Sequence, residues 1–105
     1  MITINILYPN KPGSRFDIDY YVRTHMPMAF DRLRRHLQRA SVERGLRGEE
    51  DGSPPPFHAM AHLQFESLEK FLEVFLPAAD ELTADILNYT DVEPLIQISE
   101  VMLSR

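Results

Sequence analysis

Ile2-Thr3-Ile4-Asn5-Ile6-Leu7-Tyr8 is strand-like, with apolar and polar residues alternating as far as Ile6, the period of a strand with one face buried. Pro9-Asn10-Lys11-Pro12-Gly13 closes it. Asp17 is a good helix N-cap, with Phe16 before it and Tyr21 four residues after it as a hydrophobic staple, which predicts a short helix over about 18–24. Pro27 biases Met26 away from the α region and has no N–H to donate. The helix is therefore expected to break or kink at His25-Met26. Met26, Phe30, Leu33, Leu37 and Ala40 then recur at helical spacing and predict a second helical stretch over about 27–40.

A weaker strand over 42–47 leads into a polar loop that runs from Gly48 through Pro54-Pro55-Pro56. Phe57–Phe65 alternates strictly: Phe57, Ala59, Ala61, Leu63 and Phe65 on one side, His58, Met60, His62 and Gln64 on the other. Ser67 can cap a helix whose inward face is Leu68, Phe71, Leu72 and Phe75. Pro77 is expected to interrupt it before a continuation to about Leu87. Asn88-Tyr89-Thr90-Asp91 forms a turn, with Asn88 and Asp91 expected to build it through side-chain bonds. A last strand covers about 95–103. The order β-α-β-β-α-β predicts one α+β domain over 1–105 with the ferredoxin-like fold, a four-stranded antiparallel sheet.

Right-handed crossovers place both long helices on one face of such a sheet and leave the other open. Four strands of about seven residues give that face about 400 Å². It would carry Thr3, Asn5 and Leu7, then His58, Met60, His62 and Gln64, then Gln97, Ser99 and Val101. That mixture is too apolar to stay wet and too polar to be a plain core. Two copies face to face would cover it and enclose a cavity lined by hydrogen-bonding groups. A homodimer through the open sheet face is therefore expected, with further assembly allowed.

Composition narrows the chemistry. The chain has 105 residues, net charge −5 and no cysteine, which removes disulfides and thiolate chemistry. No apolar run approaches the ~18 residues of a membrane span, and the N-terminal strand has no signal-peptide pattern. A cytoplasmic protein with no membrane partner is the expectation. The arginines at 32, 34, 35 and 39 fill the outer face of an amphipathic helix, so nucleic acid is not an expected partner. Gly-rich phosphate loops, the nucleophile elbow and the Rossmann fingerprint are absent from the sequence, and no cofactor is expected.

Three stretches together resemble the EthD family, named for association with ethyl tert-butyl ether degradation. They are Leu7-Tyr8-Pro9-Asn10…Phe16-Asp17…Tyr20-Tyr21…His25-Met26-Pro27, then Ala59-Met60-Ala61-His62-Leu63, then Asn88-Tyr89-Thr90-Asp91…Pro94…Gln97-Ile98-Ser99-Glu100. The resemblance covers nearly the whole chain. It implies the dimeric α+β barrel, whose members include isomerases, cofactor-free monooxygenases, polyketide-modifying enzymes and haem proteins. Fold alone does not choose among these.

His25 is the sharpest candidate for chemistry. It lies at the expected helix break, where a side chain can face a cavity, and His25-Met26-Pro27 matches the family's His-x-Pro element. The simpler role is capping the first helix. With cysteine absent and no acidic pair on the pocket face, imidazole is the proton carrier to expect. His62, Gln97 and Asn5 are the expected pocket residues from the sheet. Tyr20 is placed to reach the cavity and Tyr89 to overhang its mouth. His58 and His62 lie about 13 Å apart along one strand, too far to share a metal, and no metal site is expected. His58 belongs at the rim and His36 on the solvent side. Two functions remain open: histidine-mediated proton transfer on a hydrophobic, oxygen-bearing small molecule without a cofactor, or non-catalytic binding of such a molecule. Haem binding through His25 or His62 is a weaker third.

Overall fold

The structure, a computed structural model, describes residues 1–105. Strands β1 (Ile2–Pro9), β2 (Arg39–Arg44), β3 (Phe57–Phe65) and β4 (Leu95–Glu100) form one antiparallel sheet in the order β2-β3-β1-β4. Helices α1 (Ile18–Tyr20), α2 (Met26–Leu33) and α3 (Leu68–Asp85) supply the other layer. This is the expected α+β fold, a βαββαβ sandwich with one sheet face left uncovered.

The alternation in β3 holds as expected. Ala59, Ala61, Leu63 and Phe65 are buried at 3% exposure or less, whereas His58, Met60, His62 and Gln64 are half-covered on the other face. Small alanines there let the helices approach the sheet closely. In β1, Ile4 and Tyr8 sink into the same core, and the register pairs Asn5 with both His62 and Gln97.

Four boundaries differ from expectation. The second helix ends at Leu33, not near 40. The Gln38 N–H then donates to Gln64 O, which draws the chain into β2 three residues earlier than expected. Leu33, Leu37 and Ala40 fit a helical period, but Ala40 and Val42 fit a strand period equally well, and sheet pairing decides between them. Pro77 does not interrupt α3: it lies on the exposed side, while Phe71, Val74, Ala78 and Leu82 keep one continuous buried stripe. Burial of that stripe outweighs one lost backbone bond. Strand β4 ends at Glu100, opposite Ile2, short of the expected 103, and one further backbone bond follows it, from the Val101 N–H to Met1 O.

Pro27 widens the helix instead of breaking it. Residues Tyr21–His25 form a π turn, closed by the Met26 N–H donating five residues back to Tyr21 O. Pro27 then occupies the first turn of α2, where its missing N–H costs least. The widened turn carries Tyr21 and His25 inward, buried at 0% and 6% exposure. Such π turns recur at functional sites.

The caps at Asp17 and Ser67 form as expected, accepting from the backbone N–H groups of Tyr20 and Lys70. The turn before β4 is built differently. Thr90 Oγ1 accepts from the Val92 N–H, while Asp91 reaches Arg15 and Asn88 reaches Asp85. The arginines of α2 and the turn after it are engaged by acids, Arg32 with Glu81, Arg34 with Asp31 and Arg35 with Glu73, whereas Arg39, expected on the same helix face, opens β2 instead. His36 is less open than expected, at 17% side-chain exposure, with Nε2 3.2 Å from Glu73. No helix is long and apolar enough to cross a membrane.

Candidate functional site

The helices cover β3 and β1 but leave the near face of β4 partly bare, with Ile96 and Ile98 60% and 47% exposed. A cavity of about 290 Å³ occupies the space between the helices and the sheet. Fourteen of its seventeen lining residues are hydrophobic, among them Ile4, Leu33, Phe75 and Ile96. His25, Tyr8 and Thr83 bring its polar groups. A small apolar pocket with a few convergent polar groups is the usual form of a small-molecule site.

At His25 the geometry is that of an oriented base. Its Nδ1 lies 2.9 Å from Asp85 Oδ2. A carboxylate can only accept, so Nδ1 carries a proton, and in the neutral ring Nε2 is the nitrogen with the lone pair. Nε2 has no partner within the chain and is not sealed in the core. Asp85 is itself fixed: Tyr20 donates its hydroxyl to Oδ1 at 2.6 Å and Asn88 donates its amide there at 2.9 Å. Burial pushes the Asp85 carboxyl up, but the hydrogen bonds from Tyr20, Asn88 and His25 outweigh it and hold the group below its ordinary 3.8. It is a carboxylate at neutral pH. The Tyr20 phenol is raised in turn by the same carboxylate.

Aromatic rings fix the imidazole from the sides. His25 stacks on Tyr21 at 5.8 Å and tilts against Tyr89 at 4.7 Å. Tyr8, Tyr21 and Tyr89 pack edge to face or tilted, with centroids 5.0–5.8 Å apart. The hydroxyls of Tyr8 and Tyr89 share one hydrogen bond of 2.5 Å. The Tyr21 hydroxyl is buried without any partner, and burial drives its pKa far up. An unsatisfied buried hydroxyl costs about 1–3 kcal/mol. Tyr21→Phe is therefore expected to hold or raise the melting temperature, a result that thermal denaturation reads directly; a marked loss would mean that the hydroxyl has a partner.

The expected pocket residues divide between two faces. His62, Gln97 and Asn5 lie together on the open sheet face, where Asn5 Oδ1 meets His62 Nδ1 at 2.7 Å and Asn5 Nδ2 donates to Ser99 Oγ at 3.2 Å. Gln97 also donates to Ser99 Oγ, and His62 Nε2 lies 3.4 Å from Glu43. His25 is on the opposite side of the sheet, inside the helix-covered cavity rather than at the mouth of a sheet-face pocket. Tyr20 stands behind His25, reaching Asp85 and not the cavity. Tyr89 overhangs nothing: it is fully buried beneath Tyr8. His58 bonds Ser14 and stacks on Phe16, away from both groups.

Sequence reasoning missed Asp85, which stands 60 positions from His25. One signal was available. An acid in the last turn of a helix faces the negative end of the helix dipole, and α3 ends on Asp85 with no basic residue nearby in that turn. An unfavourable placement of this kind marks a residue held by other bonds.

Comparison with known proteins agrees with this architecture. The EthD domain family matches residues 14–93. An EthD-like protein from Ralstonia eutropha JMP134 is 42% identical, over 99% of this chain and 94% of that one, with a TM-score of 0.93. An ethyl tert-butyl ether degradation family protein from Bacillus halodurans C-125 is 19% identical, over 97% and 99%, with a TM-score of 0.70. An Arabidopsis thaliana protein at 16% identity, covering 100% and 99%, shares the fold at a TM-score of 0.69. No curated protein matches the chain. Family match and close structural relative agree on one conclusion: this chain belongs to the EthD family.

Proposed function

We propose that the protein moves a proton on a hydrophobic, oxygen-bearing small molecule held in the cavity between helices and sheet, with His25 as the base and its conjugate acid. The observation that carries this reading is the His25–Asp85 pair at the wall of an otherwise apolar cavity. Asp85 fixes the tautomer and balances the charge that forms when Nε2 takes a proton. A ligand seated against the apolar walls displaces water from the pair, which strengthens that electrostatic support. Proton transfer of this kind uses only groups that the chain itself supplies.

Hydrogen–deuterium exchange tests it, because exchange needs the proton-transfer step and nothing after it. Enolisable lactones, 1,3-dicarbonyl compounds and polyketide-like ketones are incubated with the protein in D₂O and followed by proton NMR. Accelerated loss of the α-proton signal from at least one of them is expected. A chain that binds these compounds and exchanges none of them is a binding protein instead.

We propose further that two copies pair through the open sheet face. The network of Glu43, His62, Asn5, Ser99 and Gln97 satisfies its polar groups within the sheet, so covering it strands few of them. Light scattering is expected to give twice the chain mass of 12.2 kDa, and a monomer at micromolar concentration contradicts the pairing.

A further inference from the structure

Three phenols, Tyr8, Tyr21 and Tyr89, meet in the core beside His25, yet one hydrogen bond is all they make among themselves. In the Tyr8–Tyr89 pair one hydroxyl donates and the other is left with a free proton. If Tyr8 donated, the spare proton would belong to Tyr89, which is fully buried and does not line the cavity. If Tyr89 donates, the spare proton belongs to Tyr8, which does line it. Only the second direction leaves that proton on a residue of the cavity wall, where a ligand oxygen can accept it. A hydroxyl that already accepts a hydrogen bond is also a stronger donor.

We propose that Tyr8, backed by Tyr89, donates to a ligand oxygen that becomes anionic when His25 takes the ligand's proton, so that the cavity takes acidic phenols and enolisable carbonyl compounds. This rests on the proton-transfer reading of the same cavity. The step is balanced within the site. The proton passes to His25 Nε2, its bonding pair stays on the ligand, and the resulting charge is carried on the oxygen held by Tyr8. Apolar walls offer that charge no other donor besides Thr83 and the imidazolium itself. Return of the proton restores both partners, and nothing is oxidised or reduced.

The probe is 4-nitrophenol, whose phenolate is distinguished from the phenol by its visible absorbance, with 4-nitroanisole as a partner that cannot ionise. Wild-type protein is expected to bind the nitrophenol as its phenolate. Tyr8→Phe keeps the ring against Phe16, Tyr21 and Tyr89 and should weaken phenolate binding about 10- to 100-fold. It should change nitroanisole binding by less than about threefold. Tyr89→Phe removes only the backing bond and should give a smaller loss in the same direction.

Unchanged phenolate affinity in Tyr8→Phe, with a loss in His25→Asn, overturns the role of Tyr8 and leaves the proton-transfer reading standing. A loss in Tyr8→Phe with ionisation intact in His25→Asn supports the role of Tyr8 and overturns that of His25. Equal losses for nitrophenol and nitroanisole in Tyr8→Phe mean altered packing and overturn the proposal, as does wild-type protein that binds no phenolate.

Discussion

His25→Asn is expected to lower the rate of α-proton exchange by about 10²–10⁴-fold, the usual contribution of a positioned base. The asparagine amide can still donate to Asp85, so the carboxylate keeps its partners while the basic nitrogen is lost. Binding of the same compounds should persist, because the apolar walls are untouched. The comparison is made by NMR on wild type and variant, with the melting temperature as a control. Unchanged exchange would remove His25 from the chemistry. His62 would not be its replacement in this cavity, since it lies on the far face of the sheet.

The second large effect concerns Asp85. Asp85→Asn keeps the shape of the side chain but removes the negative charge and can turn an N–H toward His25. The imidazole then loses the bond that holds its proton on Nδ1, and exchange should fall by at least about 10²-fold, as expected for loss of a tautomer-fixing carboxylate. Stability should fall too, since Tyr20, Asn88 and His25 all donate to this group. The pH dependence has a definite sign. The folded-state pKa of Asp85 lies below its ordinary 3.8. Its stabilising contribution is therefore complete above the unfolded value and is lost as pH falls through the folded one. Acid unfolding of wild type should show this loss at the acid end of the curve, and Asp85→Asn should not. Parallel acid limbs in the two proteins would contradict the assignment.

How much of the molecule is legible in its sequence follows from the range of each signal. Alternation in Ile2–Tyr8 and Phe57–Phe65 is local and strong, and it assigns the faces of the two central strands correctly. Helix ends are harder. Ala40 satisfies two periods at once, helical with Leu33 and Leu37 and strand-like with Val42, so only the pairing of β2 with β3 fixes where α2 stops. Pro27 is legible as a disturbance, but whether it breaks or widens a helix depends on the packing of Tyr21 and His25. The site itself joins α3, β1 and the π turn. His25 stands out because of Pro27; Asp85 has no local motif and is brought to it by the packing of α3. The spacing of the open-face residues brings Asn5, His62 and Gln97 together, and they line a groove on that face; what lies above the face is beyond the reach of spacing.

The most direct test of the central claim is an NMR titration of the ¹⁵N-labelled chain with phenol, reading the imidazole nitrogens and backbone amides together. His25 Nε2 and the amides around Ile4, Ala29 and Ile96 are expected to shift together, while Nδ1 remains protonated and bonded to Asp85. Shifts confined to His62, Asn5 and Gln97, with His25 silent, would place the ligand on the open sheet face and contradict it.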